Sequence, residues 1–460
     1  MTASILHLGL GAFHRAHQAA YLQALASLGE RDWRLVCGNI RGDGLKVEQA
    51  LVAQHGRYVL ETVSSAGARA YQTIDVIQRV LSFTPDLAAV TAAGADPDTR
   101  IISMTVTEAG YHLKPDMTLE EDAPDVAADL RTGSHRTLYG ALSLILGARM
   151  AKGAGPVTLL SCDNLRGNGR RLSAGLRAFL AARGEHALLA WCAQNVTTPS
   201  SMVDRITPGP PPELGARVRA AAGWADQAPV MAEDFHQWVI EDDFAAGRPR
   251  LERVCVQFVD DVAPYEEAKI RILNASHSAI AWAGVLKGYE FIHQGAADPA
   301  IAALARAFII DAAIPCLSPS PIDLAAYGAT TLSRFANAEI RDTNQRVAAD
   351  SWAKLAGFIA PTLGDCLARG VGLDSAAMPP ALFLVFMRRW AEGRLPFRYE
   401  DQSLDPAAMR GILDADDPAG ALSAEHRFWH DSAGDARLAD AVRRALPRVE
   451  SMLGGGRTAG

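Results

Sequence analysis

Long apolar runs are missing from this sequence of 460 residues: charged side chains interrupt every stretch of about twenty, the length a membrane-spanning helix needs. Blocks of basic residues are missing too. With 45 Lys and Arg against 52 Asp and Glu, the net charge of −7 offers no attraction to nucleic acid or to an anionic membrane, and neither partner is expected. Cysteine is scarce and scattered. Cys37, Cys162, Cys192, Cys255, Cys316 and Cys366 contain no CxxC pair and no zinc spacing, so they read as reduced core thiols, with no metal site and no structural disulfide expected. Residues 4–13 lack the basic start and cleavage pattern of a signal peptide, which makes the cytoplasm the expected location. What the chain does have is apolar mass. A hydrophobic content of 49% over this length supports two or three domain cores, and no internal repeat divides them.

One stretch concentrates polar chemistry on an apolar background: residues 265–293, YEEAKIRILNASHSAIAWAGVLKGYEFIH. Ile270, Leu273, Ile280 and Leu286 repeat at helical spacing, and no proline intervenes before Pro299. At about 100° per residue, Glu266 falls about 60°, His277 about 80° and Asn274 about 140° from Lys269, so all four can face one cleft. Such groups are costly to bury without a task. A lysine whose pKa burial depresses can take a proton as general base, while amide and imidazole N–H groups stabilise the oxyanion that forms. The same spacing also fits a solvated face on which Glu266 and Lys269 form an i, i+3 pair.

Residues 5–8 form a short apolar strand that runs into Gly9-Leu10-Gly11-Ala12-Phe13-His14 and a helix-like segment reaching Leu28. Strand, glycine turn and helix in that order let a diphosphate approach the free N–H groups of the helix N-terminus. His14 stands where GxGxxG would have its third glycine, and a plain strand-to-helix turn is the alternative reading. A second strand, residues 33–37, leads to Asp43, placed to accept from a ribose 2′-OH and so to favour NAD over NADP, although Arg41 stands beside it. Residues 58–63 and 70–76 flank a turn and read as an inserted hairpin. The strand 100–105 ends in TVTEAGY, which puts Thr105 and Glu108 at the carboxyl end of a strand, where an open α/β sheet binds its ligand. A helix over 137–151 and a strand over 157–160 lead to SCDN, whose Asn164 reads either as a residue of the same edge or as a turn residue. In SSMVDRITP, Asp204 and Arg205 form either a ligand contact or a buried ion pair. After a strand at 254–259 the pattern is helical almost to the end, which sets the domain boundary at 262. Arg346 and Lys354 would lie about 80° apart on one continuous helix, where they could donate to hydroxyls or line a solvated basic face. The glycine-rich end, 454–460, reads as a frayed tail.

Tyr265 and Lys269 have the YxxxK spacing of short-chain dehydrogenases, but the glycine motif and the position in the chain do not fit that family, and the ligand set of zinc alcohol dehydrogenases is absent. Taken together, GLGAFHRAHQA, TVTEAGY, SCDN, SSMVDRITP and KIRILNASH resemble the polyol-specific long-chain dehydrogenases, the mannitol dehydrogenase family, over essentially the whole chain. The resemblance implies an α/β, Rossmann-type nucleotide-binding domain over 1–262 followed by a mainly α-helical substrate domain over 263–460, with the active site between them. It implies NAD as cofactor and a metal-independent interconversion of a polyol and a ketose. Lys269 would be the general base, Asn164 and Asn274 would stabilise the alkoxide, His277 would orient the substrate, and Glu266 would gate a proton path. Arg346, Lys354 and Asp204 would lie in or near the substrate site, with Gly9, Gly11, Phe13, His14, Asp43, Thr105 and Glu108 at the cofactor. Within the family, GNIRGD, GRYVLETVS and DTNQRVAADS resemble the branch acting on pentitols, and Leu355-Ala356-Gly357 departs from its pattern. Broad mannitol or sorbitol oxidation by the same residues is one alternative, and a catalytically silent NAD-binding sensor is another. The expected partner is a small polyol or ketose, and the chain is expected to be a monomer or a weak homo-oligomer.

Overall fold

The computed structural model describes residues 3–114 and 116–454. The chain forms two compact units, the first made of residues 1–64 and 68–263, the second of 65–67 and 264–460. Of the glycine-rich end, Gly454 closes the last helix and 455–460 lie outside the described residues.

The strands of the first unit are, in chain order, β1 (Ala3–Leu8), β2 (Trp33–Gly38), β3 (Tyr58–Val63), β4 (Arg69–Ile74), β5 (Ile77–Leu81), β6 (Thr99–Met104), β7 (Val157–Ser161), β8 (Val196–Thr197), β9 (Ser201–Asp204), β10 (Val230–Glu233), β11 (Gln237–Glu241) and β12 (Gln257–Val259). The main sheet has the order β5-β2-β1-β6-β7-β8, and every neighbouring pair in it is parallel. This is the doubly wound Rossmann arrangement, in which the chain reverses its direction of winding at the β1/β6 junction. Burial explains why β1 is apolar throughout: Ile5 packs into one core layer, while Leu6 and Leu8 pack into the other. The expected hairpin is present as β3 and β4, and β10 pairs with β3 to extend it to three strands. A third sheet has the order β12-β11-β9.

The 254–259 strand is shorter than expected. Residues Leu251–Val254 form a 3-10 turn and Cys255 has φ +68°, so pairing begins only at Gln257. Cys255 is also the exception among the cysteines: it is exposed, while the other five are buried.

A buried arginine ties the main sheet to its connections. Arg149, 1% exposed, donates to the carbonyls of Gly94, Asp96, Ala154, Gly155 and Pro156 at 2.8–3.1 Å. It thereby fastens the last turn of Leu138–Lys152 to the loop entering β7 and to the segment entering β6.

The second unit is helical. Its hub is a continuous helical run made of Ala263–Ala268, a π-helical turn Lys269–Asn274, and Ala275–Lys287. Trp282 is fully buried in it, donates to Ser351 Oγ at 2.7 Å and packs on Phe383 and Phe386. The segment Pro299–Leu317 is long and apolar enough by composition to cross a membrane, but it sends Ile301, Leu304, Phe308, Ile309 and Ala312 into the core of this unit.

Candidate active site

In the first unit, the site is built on the glycine turn after β1. Gly9 has φ +115°, and a Cβ there would lie 2.8 Å from the Thr105 carbonyl oxygen, so the close approach of the β1 and β6 ends requires glycine. Its N–H donates to the Gly38 carbonyl at 2.8 Å, and Leu10 N–H donates to Asn39 Oδ1 at 3.1 Å. Asn39 is held in turn by Glu48, so the first residue after β2 stitches the turn in place. A Cβ added at Gly11 would meet nothing within 4 Å, which leaves open space beside the first turn of Ala12–Ala16. These features fit a diphosphate cradle, in which Gly9 and Gly11 let the backbone come close to the anion.

The neighbouring candidates divide. Thr105 lies against Gly9, and its hydroxyl is 3.2 Å from His7 Nε2. Glu108 is exposed on a 3-10 turn, and Asn164 is exposed just past the end of β7. Asp43 sits on another 3-10 turn with its side chain 80% exposed, 3.9 Å from Arg41. Phe13 is half-buried and stacks on His17.

His14 is 1% exposed and stacks on His7 at 3.4 Å, which turns its side chain into the domain. Burial holds His7, His14 and His17 below the usual histidine range, the last two at about 3, and keeps them neutral. Asp204 and Arg205 are both buried. Arg205 donates to the carbonyls of Glu233 and Ala16. Its charge is therefore spent on closing the domain.

In the second unit, the π-turn changes the geometry that a regular helix would give. Its wider turn, closed by i→i+5 hydrogen bonds, brings Lys269 and Asn274 closer in rotation than the 100° rule of a regular helix would. Lys269 is 6% exposed and Glu266 4%. From 268 to 286 every residue is buried except Asn274 and His277. A helix wrapped on all sides thus opens to its surroundings through two polar side chains, directly after a buried amine.

His277 is oriented from outside the helix. It stacks on Phe335 with a centroid distance of 4.6 Å, and its Nε2 lies 3.4 Å from Asp342 Oδ2, too poorly aligned for a formed hydrogen bond. Burial lowers the His277 pKa against the pull of Asp342. Asp342 is clasped by Arg346 through two contacts, Nε–Oδ1 at 2.7 Å and Nη2–Oδ2 at 2.5 Å. Arg346 and Lys354 sit on either side of a break, so the chain between them does not continue as one helix. Asn344–Ala348 ends at Ala349, Asp350 adopts φ +54°, and Ser351–Lys354 starts afresh. Lys354 therefore turns back and donates to the carbonyls of Val347 and Ala349 at 2.8 and 2.7 Å. Burial depresses its pKa to about 8. Sequence reasoning passed over Asp342 and Asp163, although both stand inside motifs it quoted; Asp342 opens DTNQR and Asp163 directly precedes Asn164.

With both halves described, the class follows from the matched domains. Residues 3–253 match the mannitol dehydrogenase Rossmann domain and 261–450 the mannitol dehydrogenase C-terminal domain, and the chain belongs to the mannitol dehydrogenase family. Within it, the chain is 54% identical over 450 residues to the D-arabinitol 4-dehydrogenase of Ralstonia nicotianae, covering 97% of this chain and 96% of that one. It is 48% identical over 448 residues to the D-arabinitol 4-dehydrogenase of Klebsiella pneumoniae, covering 97% and 98%. The ternary complex of Pseudomonas fluorescens mannitol 2-dehydrogenase with NAD and D-mannitol superimposes with a TM-score of 0.84 at 33% identity, covering 98% of this chain and 94% of that one.

Proposed function

We propose that this protein oxidises D-arabinitol to D-xylulose, with Lys269 as the general base. It is an NAD-linked polyol dehydrogenase of the mannitol dehydrogenase family, an oxidoreductase acting on CH–OH groups. The choice of D-arabinitol is supported by the two relatives of that name, which are more similar to this chain than the mannitol 2-dehydrogenase of Cereibacter sphaeroides, 39% identical over 373 residues. The observation that carries the assignment of the base is the single polar window in the buried helix, Asn274 and His277 beside Lys269.

NAD⁺ bound at the Gly9 turn supplies the hydride acceptor. In this reading neutral Lys269 takes the proton of the substrate hydroxyl, and the amide N–H groups of Asn164 and Asn274 hold the developing alkoxide, a donor of this kind lowering the barrier by about 3 kcal/mol. His277 orients the substrate, its ring held by the stack on Phe335. Glu266 gates the path of the proton to solvent, Asp204 lies near the substrate, and Asp43 favours NAD over NADP. Metal independence, a cytoplasmic location and a monomeric or weakly associating state complete the proposal. The test is the initial rate of NADH formation over a panel of pentitols and hexitols, repeated with NADP⁺. Preference for D-arabinitol with NAD⁺ is the expected result. Preference for mannitol or sorbitol would move the substrate to the broader alternative, and absence of turnover with every polyol would remove the proposal in favour of an NAD-binding sensor.

Lys354 gives this reading a pH signature. As an ammonium it has three N–H donors, two of them engaged by Val347 and Ala349, so a third is available to a substrate hydroxyl. As a neutral amine it has only two. Its charged form prevails below about 8 and is lost as pH rises through that value. The charges around it are Asp350, Arg346, Asp401 and Asp342. The KM for polyol should therefore rise about tenfold across pH 8, the equivalent of one charged hydrogen bond, with little change in kcat. Lys354→Met should show the high KM at every pH; a Met variant that keeps the wild-type rise would assign it to another group.

A further inference from the structure

The turn after β6 has a shape its own residues disfavour. Thr107 has φ +69° and ψ 162°, a region occupied almost only by glycine that costs another residue about 1–3 kcal/mol. One carboxylate spans this turn. Asp163 Oδ1 accepts from the N–H groups of Val106 and Thr107, both at 2.9 Å, and Oδ2 accepts from the Tyr111 hydroxyl at 2.8 Å. The far end is anchored again where Tyr139 donates to the Tyr111 carbonyl at 2.7 Å. Asp163 itself is held through its carbonyl by Asn168 at 3.0 Å.

Asp163 is 6% exposed, and the groups that face it are N–H and O–H donors with no cation among them. Burial accordingly pushes its carboxyl pKa up. A buried carboxylate without a counter-ion is expensive for a role that a neutral side chain could fill. The turn it fastens begins at Thr105, against Gly9, and carries Glu108. The residue after Asp163 is Asn164.

We infer that Asp163 is a positioning residue: by bridging Val106, Thr107 and Tyr111 it holds the strained 105–111 turn in the form that receives the nicotinamide cofactor. The inference rests on the cofactor reading above and adds the source of the turn's stability. Strain at Thr107 and the carboxylate are opposing terms, so relieving the first should compensate for loss of the second.

The experiment is a titration of the full-length protein with NADH, followed by nucleotide fluorescence, together with polyol turnover. Asp163→Ala should weaken NADH binding by about tenfold or more, the loss of charge-assisted hydrogen bonds to two amides and a phenol. Adding Thr107→Gly to Asp163→Ala should recover a large part of that loss, because glycine adopts the turn without strain. Asp163→Asn keeps an acceptor for the two amides and should lie between wild type and Asp163→Ala. A mere packing role would show no rescue by Thr107→Gly. Wild-type affinity in Asp163→Ala, or a double variant no better than the single one, would overturn the inference while leaving the cofactor reading intact. Failure of the wild-type protein to bind NADH would overturn both. Should Asp163→Ala not fold, Tyr111→Phe removes the contacts of the phenol to Asp163 Oδ2 and Ser161 Oγ and leaves both amide contacts in place: NADH binding several-fold weaker, restored by Thr107→Gly, supports the inference, and unchanged binding refutes it.

Discussion

Lys269→Ala is expected to lower kcat for polyol oxidation by about 10²–10⁴-fold, the contribution of a positioned general base. NADH binding should change little, because the glycine turn and the 105–111 segment belong to the other folding unit. The alanine variant removes a buried stem as well as an amine, since Lys269 is 6% exposed, so part of any effect could come from repacking. Lys269→Met separates the two by keeping the stem volume. Equal losses in both variants, with an unchanged unfolding temperature, are the result that assigns the effect to the amine. A methionine variant with more than a tenth of wild-type turnover would end Lys269's candidacy as the base, whatever the alanine variant does.

The second large effect concerns stability. Arg149→Met should destabilise the first unit by about 3–5 kcal/mol, because the carbonyls of Gly94 and Ala154 lie in the interior, and a buried acceptor left without a partner costs about 1–3 kcal/mol. The carbonyls of Asp96, Gly155 and Pro156 are partly accessible and can turn to water, so they add less. Burial lowers the Arg149 pKa to about 10, which still leaves the guanidinium charged at neutral pH, with all its donors in use. Arg149→Lys should recover only part of the loss, since three donors on one nitrogen cannot reach five carbonyls arranged around a planar fork. Urea unfolding followed by tryptophan fluorescence measures this, and a methionine variant within about 0.5 kcal/mol of wild type would show that the carbonyls find other partners.

The central strands and the glycine turn were legible because burial on both faces gives β1 an uninterrupted apolar run and the turn beside it needs glycine at Gly9. Strands β9 and β10 were not, because SMVD and VMAE carry buried acids and neither alternation nor turn residues mark them. The polar residues of the buried helix could be picked out by type, but their mutual placement could not. A π-turn has no sequence signature, and rotating by 100° per residue through it displaces Asn274 from Lys269. The assumption of one helix from Arg346 to Lys354 failed at Asp350, whose left-handed backbone nothing in the composition announces. His14 stands inside a ligand motif, yet a ring stack turns its side chain inward, an orientation that no pattern of residue types marks. Asp163 was passed over because an acid after a strand looks like a turn residue; only the convergence of three donors on it reveals its work.

The near-complete burial of residues 268–286 also bears on descent. Most substitutions along that helix would disturb a packed core, at a cost of about 2–5 kcal/mol for large-to-small changes against a total stability of about 5–15 kcal/mol. Change therefore has little room there and more in the segment from Asp342 to Gly357, where Gln345, Arg346 and Ala353 are exposed and Lys354 is partly so. Residues shared along that helix by two lineages would therefore record a common core before they record a common chemistry.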